Sequence, residues 1–159
     1  MKTIYLAGPD VFETDAIKQG EKLKQICSKY GFIGHFPLDN TIEVGSTPYE
    51  TAKAIQEANI NLIHNCDIIV ANLNPFRGLE PDSGTIFEVG YAMALGKEVY
   101  AYADDLSPML ERVQKAQNLP QTATLCRDKK VIEDFGLSHN LMMIDKVIGR
   151  DLEAVLKQL

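Results

Sequence analysis

Short runs of apolar residues alternate along the chain with longer stretches in which apolar positions recur every three or four residues. The short runs suit buried strands and the longer stretches suit helices with one buried face. The alternation therefore predicts a parallel sheet covered by helices on both sides. The first strand is expected over Lys2 to Ala7, ending at Gly8-Pro9. From about Thr14 to Tyr30, the residues Ile17, Leu23, Ile26, Cys27 and Tyr30 share one helical side, and Gly31 follows as a C-cap. Phe32 to Phe36 reads as a second strand, stopped by Pro37.

Thr47-Pro48-Tyr49-Glu50 is a capping box with proline at the first helical position, so a helix begins there and runs to about Asn65. Its expected buried stripe is Ala52, Ile55, Asn59 and Leu62. Asn59 is the polar member, and a buried amide costs stability unless it finds partners. It is either satisfied by backbone or water, or it lies near a site. Asp67 to Ala71 is almost continuously apolar, as in a central parallel strand buried on both faces.

After a loop from Asn72 to Asp82, a helix capped by Asp82 or Ser83 should reach Leu95, where Gly96 ends it. Val99 to Ala103 supplies a fourth strand, Ser107-Pro108 opens a helix to about Gln117, and a fifth strand near Lys146 to Ile148 precedes a last helix from Leu152. Residues 119 to 139 are polar and irregular, and loops of that length tend to be functional or mobile. The predicted fold class is α/β: a flavodoxin-like, doubly wound, five-stranded parallel sheet. In such sheets ligands bind beyond the carboxyl ends of the strands. The 159 residues fit a single domain.

Composition narrows the function classes. With 45% hydrophobic and 24% charged residues the chain is an ordinary globular one. A net charge of −6 repels nucleic acid unless a basic stripe forms, and the densest basic group, Arg127, Lys129 and Lys130, is interleaved with Asp128, Glu133 and Asp134. The cysteines Cys27, Cys66 and Cys126 are odd in number, without CxxC or metal-ligand spacing, which suits a reducing compartment. Strand-like sequence begins at once, without a secretory leader. No apolar run approaches the ~18 residues of a membrane span. A cytoplasmic protein is expected, with neither a membrane nor a nucleic-acid partner.

The topology gathers three loops on one rim: Gly8 to Glu13, Pro37 to Ser46, and Asn72 to Asp82. From Ile86 onward, Glu88 is the only carboxylate in a helix apolar on every side, and such a helix is expected to be buried. A buried carboxylate must find donors or become protonated, so Glu88 is either a satisfied structural group or a catalytic one. Gly84 lies one turn earlier on the same face and leaves room for a ligand. Asp82 stands where an N-cap belongs. Asp67, opening a buried strand, is an exposed edge, a cap, or a site group. Tyr5 lies in the middle of the first strand, its hydroxyl needs a partner, and Glu88 is a candidate. Phe12 is a core aromatic or a stacking face for a planar ligand. Neither a Gly-rich phosphate loop nor a metal constellation is present in the sequence, so no cofactor and no metal are expected.

Taken in order, certain segments resemble the nucleoside 2-deoxyribosyltransferase family. They are Ile4-Tyr5-Leu6-Ala7-Gly8-Pro9 with Val11-Phe12, Pro37-Leu38-Asp39-Asn40, Asn65-Cys66-Asp67, and Asn74-Pro75-Phe76-Arg77-Gly78. They continue with Glu80-Pro81-Asp82-Ser83-Gly84-Thr85, Phe87-Glu88-Val89-Gly90, Gly136-Leu137 and Asn140-Leu141-Met142, so the resemblance spans nearly the whole chain.

By that resemblance Glu88 matches the nucleophile, Tyr5 the hydroxyl that orients it, and Asp67 and Asp82 the carboxylates that handle the base and its proton. Phe12 lines the base pocket. Gly8, Asp39, Asn40, Asn59 and Gly84 fall with the substrate-binding segments. Asn140 and Met142 match residues that a neighbouring subunit contributes, which implies a homo-oligomer, a dimer or an assembly of dimers. The implied reaction moves 2-deoxyribosyl between purine or pyrimidine nucleobases through a covalent intermediate on Glu88, with ping-pong kinetics and net retention. Glu88 is expected to stay ionised beside Tyr5, while burial and like charge raise the pKa of Asp82 or Asp67.

The closest rival is a hydrolase of the same superfamily that cleaves 2-deoxynucleoside 5-monophosphates; Arg77 favours it and Asn140 speaks against it. A flavodoxin-like or receiver-like signalling module is a further alternative. It lacks support, because the first loop has no hydroxyl-rich phosphate cradle and Asn72 stands where a receiver needs aspartate.

Overall fold

The alternating pattern becomes five strands and five helices in the computed structural model, which describes residues 1–42 and 45–159. The strands are β1 (Thr3–Ala7), β2 (Ile33–His35), β3 (Ile68–Asn72), β4 (Glu98–Tyr102) and β5 (Val147–Gly149). The helices are α1 (Ala16–Lys29), α2 (Pro48–Asn65), α3 (Ser83–Ala94), α4 (Met109–Ala116) and α5 (Leu152–Leu156). All pairings are parallel and the spatial order is β2-β1-β3-β4-β5, the doubly wound arrangement expected. Among the described residues no helix is long and apolar enough to cross a membrane.

Side chains alternate across the strands with period two and so build two cores. Tyr5, Ala7, Ile69, Ala71, Val99 and Ala101 pack against Ile63 of α2 and Val89 and Ala92 of α3. On the other face, Ile4, Leu6, Ile68, Val70 and Tyr102 pack against Leu23 and Cys27 of α1 and against Leu152, Val155 and Leu156 of α5. Each such large apolar side chain contributes about 1.5–3 kcal/mol by leaving water. β1 and β3 are buried almost throughout, which is why their sequence shows no polar alternation.

The helix signals operate as read. Thr47 accepts from the Glu50 backbone N–H, and the Glu50 carboxylate accepts from that of Thr47, closing the capping box. Gly31 and Gly96 take positive φ of 82° and 72° just beyond α1 and α3, a conformation that side chains with a Cβ disfavour.

Two expectations need correction. First, α3 is not covered on every side: Phe87 is 55% exposed, and Met93 and Leu95 are each 40% exposed. Its inner face alone is core, and its outer apolar face is solvent-facing within this chain. Second, the predicted stripe of α2 is only partly buried: Ile63 is fully buried, Asn59 and Leu62 are half-buried, and Ala52 and Ile55 are exposed. The cause is length. Eighteen helical residues span about 27 Å, whereas a five-residue strand spans about 17 Å. Because α2 runs directly into the start of β3, its surplus first turns overhang the carboxyl edge of the sheet.

The irregular stretch after α4 carries its own small core, with Ile132 packed on Met109 and Val113. The Gln114 amide holds the carbonyls of Gln121 and Ala123, both at 2.9 Å, and Leu125 bridges to Val131.

Candidate active site

The overhang of α2, the 3₁₀ turn at Pro9–Phe12, the turn at Pro37–Asp39 and the start of α3 surround the carboxyl edge of the sheet. Tyr5 on β1 is wholly buried, yet its hydroxyl reaches α3 and donates to Glu88 Oε1 at 2.6 Å. Burial pushes the Glu88 carboxyl up to about 7, the Tyr5 hydrogen bond opposes that rise, and the Asp82 charge adds to it. Burial first, then the charge of Glu88, drives the Tyr5 phenol upward, so it remains a neutral donor. A carboxylate poised near neutrality and oriented by a fixed hydroxyl is suited to nucleophilic or acid–base work.

Asp82 caps α3: its Oδ2 accepts from the Thr85 backbone N–H at 2.9 Å and the Thr85 hydroxyl at 3.0 Å. Its other oxygen meets no protein donor among the described residues. A Cβ on Gly84 would stand 3.1 Å from Asp82 Oδ2 and meet nothing but that carboxylate, so the glycine keeps the approach beside Asp82 open. At Gly8 a Cβ would come within 2.7 Å of Asp10 Oδ2 and 2.8 Å of Asn72 Cβ. Gly8 thus serves close loop packing.

A cavity of about 350 Å³ lies between Val11, Pro37, Leu38, Asn40, Ile42, Thr51, Ile55 and Asn59. Asn40 Nδ2 and Asn59 Oδ1 are both buried without a hydrogen-bond partner among the described residues, a donor and an acceptor in the wall of one cavity. Neutral amides left so are costly, about 1–3 kcal/mol each, unless a bound molecule satisfies them. Asn59 lies one helical turn from Ile63 on the same face of α2, toward the rim.

Phe12 is 57% exposed and stacks on Phe76 with ring centroids 5.0 Å apart. The Arg77 guanidinium covers both rings, at 5.3 Å from Phe12 and 4.6 Å from Phe76.

Other expected site residues lie apart. Asp67 opens β3, and in a parallel sheet the residue before a strand lies at the opposite edge from the loop after it. It is exposed, and its Oδ2 accepts from the Thr3 backbone N–H and hydroxyl, both at 2.8 Å. Those bonds hold its carboxyl below the usual range, opposite to the rise expected. Glu88, expected to remain a normal ionised carboxylate, is the one raised. Asp39 is also turned away: it accepts from the Phe36 backbone N–H at 2.8 Å and pairs with Lys24 at 2.7 Å, so it caps its own turn.

Asn140 donates to Glu133 at 2.8 Å and caps the turn at Leu141–Met143. Met142 is 71% exposed, and together they border a cavity of about 440 Å³ with Pro81, Ser83 and Ile86 at the start of α3. Sequence reasoning did not single out Asp10, whose carboxylate is buried at the end of β1 and accepts from Asn72 at 2.9 Å. Its one signal is position, directly after Gly8-Pro9 at a strand's carboxyl end.

Among the described residues no group of three His, Cys, Asp or Glu side chains could hold a metal ion. What the fold and rim define is a doubly wound α/β protein with a part-buried, tyrosine-bonded glutamate on α3 and a ligand-sized cavity at the carboxyl edge of its sheet. Residues 4–142 match the profile of the family described as Nucleoside 2-deoxyribosyltransferase, and the chain belongs to that family.

A solved structure described as 2-desoxiribosyltransferase from Leishmania mexicana is 36% identical, with a TM-score of 0.77 over 95% of this chain and 91% of that one. The fold is shared more distantly with a 2-deoxyribosyltransferase from Bacillus psychrosaccharolyticus, 22% identical with a TM-score of 0.60, covering 97% of this chain and 90% of that one. The Schizosaccharomyces pombe protein C191.05c is 35% identical over 114 residues, 70% of this chain and 54% of its own length. The chain thus spans about half of that curated relative.

Proposed function

We propose that this protein transfers the 2-deoxyribosyl group of a deoxyribonucleoside from one nucleobase to another, with Glu88 as nucleophile. The observation that carries this reading is the bond from buried Tyr5 to Glu88, which leaves one carboxylate oxygen for attack while burial strengthens its reactivity. Ionised Glu88 bonds to the sugar's C1 atom as the C1–N bond breaks, and that electron pair leaves with the base. The base takes a proton by way of Asp82, the carboxylate whose charge Glu88 feels. In the second half the acceptor base returns a proton by way of Asp82 and attacks C1 from the opposite face. The ester to Glu88 breaks and the carboxylate returns. Two inversions give net retention.

Asn40 and Asn59 address the edge of the base, because their amide groups, unpartnered among the described residues, line the cavity at the same rim. Phe12 with Phe76 borders the same rim. Asp67 and Asp39 have no part in this mechanism, being engaged by Thr3 and by Lys24. Asn140 and Met142 complete the site of a neighbouring copy in a homo-oligomer. Support for that comes from the exposed apolar side chains Leu141, Met142 and Ile144 in that segment and Phe87 on α3. The protein acts in the cytoplasm on small nucleosides and free bases. The monophosphate-hydrolase alternative loses its main support, since Arg77 lies over Phe12 and Phe76 as a stacking partner.

Protein quenched during turnover of thymidine with adenine should carry a deoxyribosyl adduct on the peptide containing Glu88, seen by mass spectrometry. Base exchange without any adduct, or adduct on another residue, would overturn the assignment.

A further inference from the structure

We infer that Asp10 is a positioning residue that sets the wall of the base cavity, an inference that rests on the function proposed above. Asp10 is 9% exposed, and among the described residues its carboxylate is held by amides alone: Asn72 Nδ2 donates to Oδ2 at 2.9 Å and Gln19 Nε2 donates to Oδ1 at 3.2 Å. A buried carboxylate matched to two amide donors is specific, because an amide in its place must turn an N–H against one of them.

Asn72 cannot rotate to relieve such a clash. Its Oδ1 already accepts from the Asn74 backbone N–H at 3.1 Å and from the Asn74 side chain at 2.9 Å, so its Nδ2 must face Asp10. Asn74 Oδ1 accepts in turn from the Asp104 backbone N–H at 3.0 Å. The chain of bonds runs from Gln19 on α1 across the carboxyl ends of β1, β3 and β4, and joins the loops that follow all three strands.

Asp10 is the root of that chain on the β1 side. The next two residues face the ligand region: Val11 lines the cavity with Asn40 and Asn59, and Phe12 stacks on Phe76. Gly8 completes the arrangement, since a Cβ there would collide with both Asp10 and Asn72. Displacing Asp10 therefore moves the base-facing wall relative to Glu88 on α3, without touching the reacting atoms.

The test compares Asp10→Asn with the double variant Asp10→Asn/Gln19→Glu, in which the introduced carboxylate accepts from the introduced amide and restores complementarity. Two quantities are read: the calorimetric Kd for adenine, and the kcat and KM for adenine in base exchange from thymidine. Asp10→Asn is expected to weaken adenine binding and raise KM about tenfold, with kcat at saturating adenine changed less than about twofold, and the double variant should recover most of the loss. Equal adenine Kd in wild type and Asp10→Asn, no adenine binding by wild type, or kcat falling with a lowered melting temperature and no recovery in the double variant, would overturn the inference. Should Asp10→Asn not fold, Gln19→Ala removes one donor and is read in the same way, with a shift of about threefold. Absence of exchange in wild type, with adenine binding still weakened in Asp10→Asn, would remove the proposed reaction and leave the positioning role standing.

Discussion

Glu88 and Asp67 are carboxylates at opposite edges of one sheet, and their surroundings drive them in opposite directions. Glu88 lies in the first half of α3, toward the carboxyl edge, with the Tyr5 hydroxyl as its one donor among the described residues and enough burial to push it up to about 7. Asp67 lies at the amino edge in water, with two donors from Thr3, and is held below the usual carboxylate range. Burial with few donors makes a reactive group; exposure with many donors makes a fastener. Thr3 and Asp67 bond reciprocally, the Asp67 backbone N–H donating to the Thr3 hydroxyl at 3.0 Å, and so tie the start of β1 to the start of β3. The residue type is almost the same at both edges, and strand polarity separates the roles.

The largest effect that tests this contrast is on rate. Glu88→Ala should lower base exchange by at least about a thousandfold, as removal of a nucleophile does, whereas Asp67→Asn should leave kcat and KM close to wild type in steady-state assays. A comparable loss in both variants would erase the distinction between the edges.

Next in size is the energetic consequence of burying Glu88. Its folded pKa lies above its unfolded one, so the native state holds the proton longer. The native state is favoured most below about 4.5, and that advantage is lost as pH rises through about 7. Glu88→Gln removes the charge, so it should be more stable than wild type above pH 7, by about 1–3 kcal/mol, with the gap closing toward pH 4.5. Urea denaturation at several pH values measures it, and a gap independent of pH would contradict the buried-charge account.

The smallest effect sharpens the part played by Tyr5. Its hydrogen bond lowers the Glu88 pKa, so Tyr5→Phe should shift the rising limb of the pH–rate profile upward from about 7, by about one pH unit. A profile left in place would mean that Tyr5 orients Glu88 without tuning it.

Much of this is legible in the sequence alone. Tyr5 and Glu88 are candidate partners because each is a polar group inside an apolar run, and Asn59 stands out as the one amide in an expected buried stripe. The assignment of Asp67 to the base came from its place in a family-like segment, Asn65-Cys66-Asp67, whereas its position at the head of a strand pointed to the other edge. Asp39 falls in such a segment too, but Lys24 and the Phe36 backbone N–H engage it. Asp10 stayed hidden because its partners, Gln19 and Asn72, lie 9 and 62 residues away and carry no periodic signature.

Local sequence determined what local physics governs: the number and kind of elements, the Thr47 cap, a cap at Asp82 or Ser83, the glycine ends at Gly31 and Gly96, and the solitude of Glu88 in its helix. These depend on neighbours within a turn or two. Only the tertiary structure decided which edge of the sheet each carboxylate occupies, how far α2 overhangs it, and how the amides meet across β1, β3 and β4. Those outcomes depend on burial and on donors brought from distant parts of the chain, and burial is a property of the assembled fold.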